Sequence, residues 1–348
     1  MKHPQNKSEV SPSADLERRT SIRRIAQSVS GLASMSLLPN LWAQGTGAKG
    51  VWPNQAIRMI SPWTAGSGTD IIARLIAEKL STELGVPVIV EPRPGAAGNI
   101  GTALAATQPA DGNTLLVTSA SFAISPAIYR NLSYDPVRDF VPVTKLATAP
   151  LLVLVRADSP LRTMADLIAL TKKDPKSVNY GSFGNGSPSH LIGESINRLA
   201  GISMTHVPYS TGGAPLDLLG GRLTVAILDA LSQTPQVKAG KMRALALNGL
   251  NRLPSIPDVP TLVESGIPFD TVGWQAVFAP AGVPAEIIEK LNRTINQILS
   301  TAVVQTQIHA VGCFPVTPAT TANQWGDMFK KDVQTWADLV KRSGAKID

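Results

Sequence analysis

At 348 residues, 43% hydrophobic and 16% charged, the chain is long enough for two domains with their own cores and has an ordinary globular composition. A single cysteine, Cys313, excludes an internal disulfide and argues against a zinc cluster, and His3, His190, His206 and His309 have no metal-ligand spacing, so no cofactor is expected. The formal charge of +7 does not mark a nucleic-acid binder, because the basic residues do not cluster with aromatics and six of the 32 lie before residue 44.

Residues 1–43 read as an export signal. Arg18, Arg19, Arg23 and Arg24 precede a weakly apolar run from Ile25 to Leu38, and Leu41-Trp42-Ala43 closes a cleavage site that leaves Gln44 first. The Arg18-Arg19 pair partly matches a twin-arginine signal, but Ser21 stands where an apolar residue is usual, so Tat and Sec export both remain open. Without this stretch, which also holds Glu9, Asp15 and Glu17, the charge falls to about +4, a balance that suits small anionic ligands. The apolar run is too short and too rich in Ser and Gly to span a bilayer, and no other stretch approaches the ~20 apolar residues required. The expectation is a soluble periplasmic protein.

The first unit of the mature chain is Ile57 to Leu84. Ile57 to Ile60 is an apolar strand ended by Pro62, and from Asp70 the residues Ile72, Ile76, Leu80 and Leu84 recur every fourth position, the mark of an amphipathic helix. Between them lies the loop Thr64, Ala65, Gly66, Ser67, Gly68, Thr69, Asp70. In a strand-loop-helix unit the loop N–H groups and the positive helix end point into the crevice above the strand, where a carboxylate or phosphate can accept them. The loop completes neither a P-loop nor G-x-G-x-x-G, and an ordinary turn with Thr69 or Asp70 as N-cap is the competing reading. Val86–Val90 gives a second strand, and Thr114–Thr118 a third that ends in Ser119, Ala120 and Ser121. Alternating strands and helices imply a parallel sheet, which brings Ser119 and Ser121 near the first loop unless they only cap the next turn.

A second series repeats the first. Leu151–Val155 is an uninterrupted apolar strand, and Val178–Gly181 is followed by Ser182, Phe183, Gly184, Asn185, Gly186 and Ser187. Pro188 suits the first turn of a helix carrying Leu191, Ile192, Ile196 and Leu199. Two helix-opening loops, about 115 residues apart, suggest two similar lobes facing each other across a cleft that closes on its ligand. Tyr209 either walls that cleft or packs in the core. Asp229, directly after the strand Leu223–Leu228, could fix the cleft, meet a ligand amine or cap a helix. Trp274–Phe278 reads as the return crossing, and helices from Pro284 and over about Thr321–Arg342 complete the first lobe.

Catalytic patterns are weak. No serine sits in G-x-S-x-G, so Ser67 and Ser187 read as ligand donors. His190, in the first turn of its helix, suits a neutral imidazole that orients the second loop better than a general base. Asp70 and Asp229 both stand where caps are expected.

The ordered motifs Pro62-Trp-Thr-Ala-Gly-Ser-Gly-Thr-Asp70, Glu91-Pro-Arg-Pro-Gly-Ala-Ala-Gly-Asn-Ile-Gly101, Asp111-Gly112, Tyr180 to Leu191, Val207-Pro-Tyr209, Pro257 to Gly266 and Ala279-Pro-Ala-Gly282 resemble the solute-binding proteins of tripartite tricarboxylate transporters, the Bug family. The resemblance covers roughly Trp52 to Ile347. It implies an α/β fold of type II periplasmic-binding-protein form, two lobes each with a mainly parallel sheet flanked by helices. Expected bounds are 44–155 with 273–348 for lobe 1 and 156–272 for lobe 2. It also implies a non-enzymatic, monomeric receptor that encloses a small organic carboxylate and delivers it to membrane subunits. By position, Thr64 to Thr69 with Asp70, and Ser182 to Ser187, are implied to hold carboxylate oxygens, partly through backbone amides and waters. The family usually has Phe where Trp63 stands and Gly where Ser67 stands, so the pocket floor is bulkier here. An exported hydrolase or lyase using Asp70, His190 or Asp229, and an accessory protein of a membrane sensor kinase, are the alternatives.

Overall fold

A computed structural model describes residues 52–209 and 212–343; the expected export signal, residues 1–43, lies outside them. The first strand, β1 (Ile57–Ser61), sends Ile57 and Met59 into one core and Ile60 into another, as the two-residue period of a strand covered on both faces requires. It lies between β2 (Val88–Pro92) and β3 (Thr114–Ser119), both parallel to it. Helix α1 (Gly68–Leu84) returns between β1 and β2, burying Ile72, Ile76 and Leu80, and Gly85 ends it at φ 69°, a left-handed cap a β-carbon would disfavour. Short helices α2 (Asn99–Ala106) and α3 (Ser121–Ile128) flank β3.

The chain then runs antiparallel. Strand β4 (Phe140–Ala149) joins the first sheet, but β5 (Leu151–Arg156) leaves it and pairs antiparallel with two strands of a second sheet, β8 (Val225–Asp229) and β9 (Met242–Leu247). The lobe boundary expected after residue 155 is therefore corrected to the turn at Pro150. The all-apolar run Leu151–Val155 marks burial on both faces and carries no label of which sheet supplies them.

The second sheet has the order β7-β6-β8-β5-β9, with β6 (Asn179–Ser182) between β7 (Thr205–Pro208) and β8, both parallel to it. Its helices are α4 (Met164–Lys173), α5 (Pro188–Ala200), α6 (Ala214–Leu219) and α7 (Ala230–Lys238). A Thr163/Asp166 capping box starts α4, satisfying backbone donors the helix itself leaves orphaned. The chain returns through β10 (Gly273–Pro280), which inserts antiparallel between β3 and β4, so the first sheet reads β11-β4-β10-β3-β1-β2, with β11 (Phe314–Pro315) at its edge. The α/β class with two helix-flanked sheets is as the sequence predicts, but the expectation of mainly parallel sheets is corrected: both are mixed, because β4, β10 and β11 pair antiparallel in the first and β5 pairs antiparallel with β8 and β9 in the second.

Two crossings join the sheets, one at Ala149–Leu151 and one from residue 248 to 272. Asn248, 1% exposed, ties them together: its Oδ1 accepts the Leu151 N–H at 2.6 Å and its Nδ2 donates to the Thr271 carbonyl at 2.7 Å. Helix α8 (Ala285–Ser300) buries Ile288, Leu291, Ile295 and Leu299 on one face, each worth about 1.5–3 kcal/mol of transfer free energy. After α9 (Ala302–Ala310), helix α10 (Ala322–Ser343) inserts Trp325, Phe329 and Trp336 into a core shared with Phe122, Phe278 and Trp274, and also packs on α5.

Candidate functional site

The site is built where the C-terminal ends of β1 and β3 meet the crossings and the second sheet. A narrow cavity of about 50 Å³, in the space open to a water-sized atom, is walled by Trp63, Phe183, Pro188, Leu151 and Trp274 and floored by Ser67, Gly68, Thr69, Ser119, Asp229 and Gln275. Both halves of the molecule contribute, and Trp63 meets Phe183 edge-on across it, ring centroids 6.0 Å apart.

The first loop folds as strand-loop-helix chemistry demands. Gly66 takes φ 79° to turn the chain, and Ser67 becomes the N-cap, its Oγ accepting the Asp70 N–H at 3.3 Å. Asp70 Oδ2 accepts the Gly66 N–H and the Arg74 Nε–H, both at 2.9 Å, so its carboxylate clasps its own loop. Thr69 Oγ1 donates to Gln275 Oε1 at 2.9 Å, locking α1 to the return strand β10. Ala65 and Gly66 are exposed at the rim. Thr64 lines a smaller adjoining hollow of about 20 Å³ with Tyr209, whose hydroxyl donates to Asp217 at 2.6 Å. Ser119 reaches the main cavity; Ser121 lies behind it, the two hydroxyls 3.1 Å apart.

The second loop has the same outline but is bonded inward. Ser187, the N-cap of α5, donates to the Gly184 carbonyl at 2.7 Å and lies 3.0 Å from Ser189 Oγ, while Phe183 N–H donates to Ser189 Oγ at 3.0 Å. Ser182 Oγ is 2.6 Å from His206 Nε2. Ser182 and Ser187 are both fully buried, one layer behind the wall that Phe183 and Pro188 present. Asn185 is exposed, its carbonyl accepting Tyr129 Oη–H from the C-cap of α3 at 2.9 Å. His190 Nδ1 accepts the Gly186 N–H at 3.1 Å, which leaves the ring proton on Nε2, and the ring stacks on His206 with centroids 4.0 Å apart. Burial lowers both imidazoles below their ordinary range, with Glu194 opposing this for His190; His190 lowers His206 further, to about 3. His190 thus ties the start of α5 to the second loop through the Gly186 N–H.

Asp229 closes the floor from the second half. It is 8% exposed, caps α7 by accepting Ser232 N–H and Oγ–H at 2.8 Å each, and faces the Gly68 N–H, where a β-carbon on Gly68 would collide with its carboxylate. Desolvation raises its pKa, against the pull of those donors. Of the expected residues, the structure brings Ser67, Gly68, Thr69, Ser119 and Asp229 to one cavity. It leaves Ser121, Ser182, Ser187 and His190 behind its walls. Sequence reasoning missed Gln275 and Trp274, and its bulky floor residue Trp63 stands in the wall; the signal for Gln275 was a polar residue inside the otherwise apolar Trp274–Phe278 strand. No group of three or more His, Cys, Asp or Glu among the described residues is arranged to hold a metal ion.

Compared with known proteins, residues 72–345 match the family described as tripartite tricarboxylate transporter family receptor. The chain is 35% identical over 300 residues to Protein BugT of Bordetella pertussis, an alignment covering 85% of this chain and 91% of that one. Among solved structures it is similar to R. palustris Rpa4515 with adipate, at 31% identity and a TM-score of 0.81, over 85% of this chain and 100% of that one. It is likewise similar to the periplasmic binding protein BugD, at 31% identity and a TM-score of 0.80, over 85% and 99% of the two chains.

Proposed function

The chain belongs to the tripartite tricarboxylate transporter receptor family, and from that premise we propose that it captures a small organic carboxylate in the cleft and delivers it to the membrane subunits of a tripartite transporter. The observation that carries this reading is the cavity itself: two strand-loop-helix units, one from each sheet, converge on a recess whose walls come from both halves. Hydroxyls and helix-start N–H groups supply affinity through several hydrogen bonds to a charged acceptor, each worth roughly 1.5–3 kcal/mol net, enough together for micromolar binding.

The acid held by R. palustris Rpa4515, adipate, supports the ligand class. The receptor acts in the periplasm as a monomer, after removal of residues 1–43, and performs no chemistry on its ligand. Residues 52–149 with 273–343 form one lobe and 151–209 with 212–272 the other, and ligand draws them together. No helix among the described residues is long and apolar enough to cross a membrane, which suits this reading.

A thermal-shift screen of the protein from Gln44 onward against mono-, di- and tricarboxylates tests it. One chemical class should raise the melting temperature in step with concentration, because a ligand that binds only the folded state stabilises it by mass action. No shift with any acid, from protein unfolded and refolded to strip resident ligand, would remove the proposal.

A further inference from the structure

The cavity carries one more piece of chemistry. Gln275 is 4% exposed and stands on β10 opposite Ser119 in the antiparallel register. Its Oε1 is engaged by the Thr69 hydroxyl, which turns the Nε2 amide toward the cavity, where no side chain among the described residues accepts from it. A donor without a protein acceptor that lines a cavity is left for whatever fills the cavity, ligand or water, to satisfy. The Ser119 hydroxyl lines the same wall.

The charges of the lining point the same way. Among the described residues, no Lys, Arg or His lines the cavity, and its one ionisable side chain is Asp229, the acid that faces the Gly68 N–H. One ligand carboxylate can be met by neutral donors on the Gln275 side. A second would share the recess with the Asp229 carboxyl, with no cationic side chain among the described lining residues to offset it. Trp63, Phe183, Trp274, Leu151 and Pro188 also line it and solvate hydrocarbon.

Resting on the carboxylate-receptor reading, we propose that the ligand is a monocarboxylate with an apolar body, its carboxylate accepting from the Gln275 amide and the Ser119 hydroxyl and its body lying between the aromatic walls. Gln275 then sets specificity, and Thr69 is a positioning residue that fixes its amide.

Calorimetric titration of the stripped protein with hexanoate, adipate and L-norleucine tests this, since the three share a six-carbon chain and differ only in a second carboxylate or an ammonium. Hexanoate should bind at least tenfold more tightly than adipate. Gln275→Glu, nearly isosteric, should weaken hexanoate at least tenfold, and Thr69→Val should weaken it less. Adipate binding as tightly as hexanoate would overturn the proposal while leaving the carboxylate-receptor reading intact. Norleucine binding more tightly than hexanoate would overturn it in favour of an ammonium paired with Asp229. Binding of none of the three, together with no response in the acid screen, would remove both readings. The wild-type comparison needs no variant, so a poorly folding Q275E protein does not blunt it.

Discussion

The two helix-opening loops have the same outline, a strand end, a glycine-rich turn and a serine N-cap, and they put it to opposite uses. The first keeps Ser67 and Asp70 for itself but turns its helix start outward: Gly68 faces Asp229 of the second sheet, and Thr69 reaches Gln275 at the cavity. The second spends Ser182, Ser187 and Gly186 on itself and on two stacked imidazoles, and offers the cavity an aromatic ring and a proline. Repetition of a motif therefore predicts repetition of backbone shape, while the direction of the hydrogen bonds is decided by what packs behind each loop. Behind the second loop lie the buried His190 and the half-buried His206, so its polar groups turn inward.

The strongest test of that contrast is Gly68→Ala. The new β-carbon meets the Asp229 carboxylate and the Leu231 side chain, so overpacking should cost about 1–3 kcal/mol and ligand affinity should fall as the two halves are wedged apart. Chemical denaturation together with calorimetry would read both effects. In the second loop, Gly184→Ala meets nothing closer than the Tyr209 carbonyl at 3.5 Å, and its cost, from φ +107° alone, should be about 1–3 kcal/mol with affinity retained. Equal affinity losses at the two glycines would erase the distinction between the loops.

Next in size are the caps. Ser187→Ala breaks bonds to Gly184, Ser189 and His190 in a fully buried setting and should lie at the upper end of the ~0.5–2 kcal/mol that N-caps contribute; Ser67→Ala, which loses only the 3.3 Å bond from Asp70, should lie at the lower end. Urea unfolding of the two variants compares them directly.

Acid should also separate the loops. The folded-state pKa of His206 is depressed from 6.5 to about 3, and that of His190 is lowered too, so the unfolded chain binds protons first. The stability these rings contribute is fully present above pH 6.5 and is lost progressively as pH falls toward 3. Asp229 has the opposite sign: its raised pKa favours the folded state at low pH, and that contribution is lost as pH rises above 3.8 through the folded value. Unfolding of the wild type and of His206→Phe across pH 4–7 should show a shallower slope in the variant. The smallest effect is expected at Arg74→Ala, whose half-exposed pair with Asp70 should be worth no more than about 0.5–1 kcal/mol in the same unfolding assay.

Much of this was readable before any coordinates. The Ile57–Ile60 run and the four-residue recurrence in α1 announce themselves, as do Pro188 at the start of α5 and the Ile288, Leu291, Ile295, Leu299 stripe of α8. Strand β4 was not readable, because Pro142, Thr144 and Lys145 interrupt its apolar pattern, and neither was α3, which carries Pro126 internally. The sheet to which β5 belongs is a tertiary fact that no local pattern holds. At the site, the first loop was legible because its chemistry is local. The Thr69–Gln275 bond spans 206 residues and the His190–His206 stack joins a helix to a neighbouring strand, so both exist only once the sheets are assembled.

The amide of Asn248 has a mechanical consequence. Since one side chain holds both connecting segments, neither can twist without carrying the other, and the pair works as a single axle instead of two independent strings. Sliding and wobbling of the halves are suppressed, leaving rotation about that axle as the soft coordinate. Under the proposed ligand-driven closure, the angle between the outer faces would encode whether the cleft is filled, and a partner touching both faces would read occupancy without contacting the cargo.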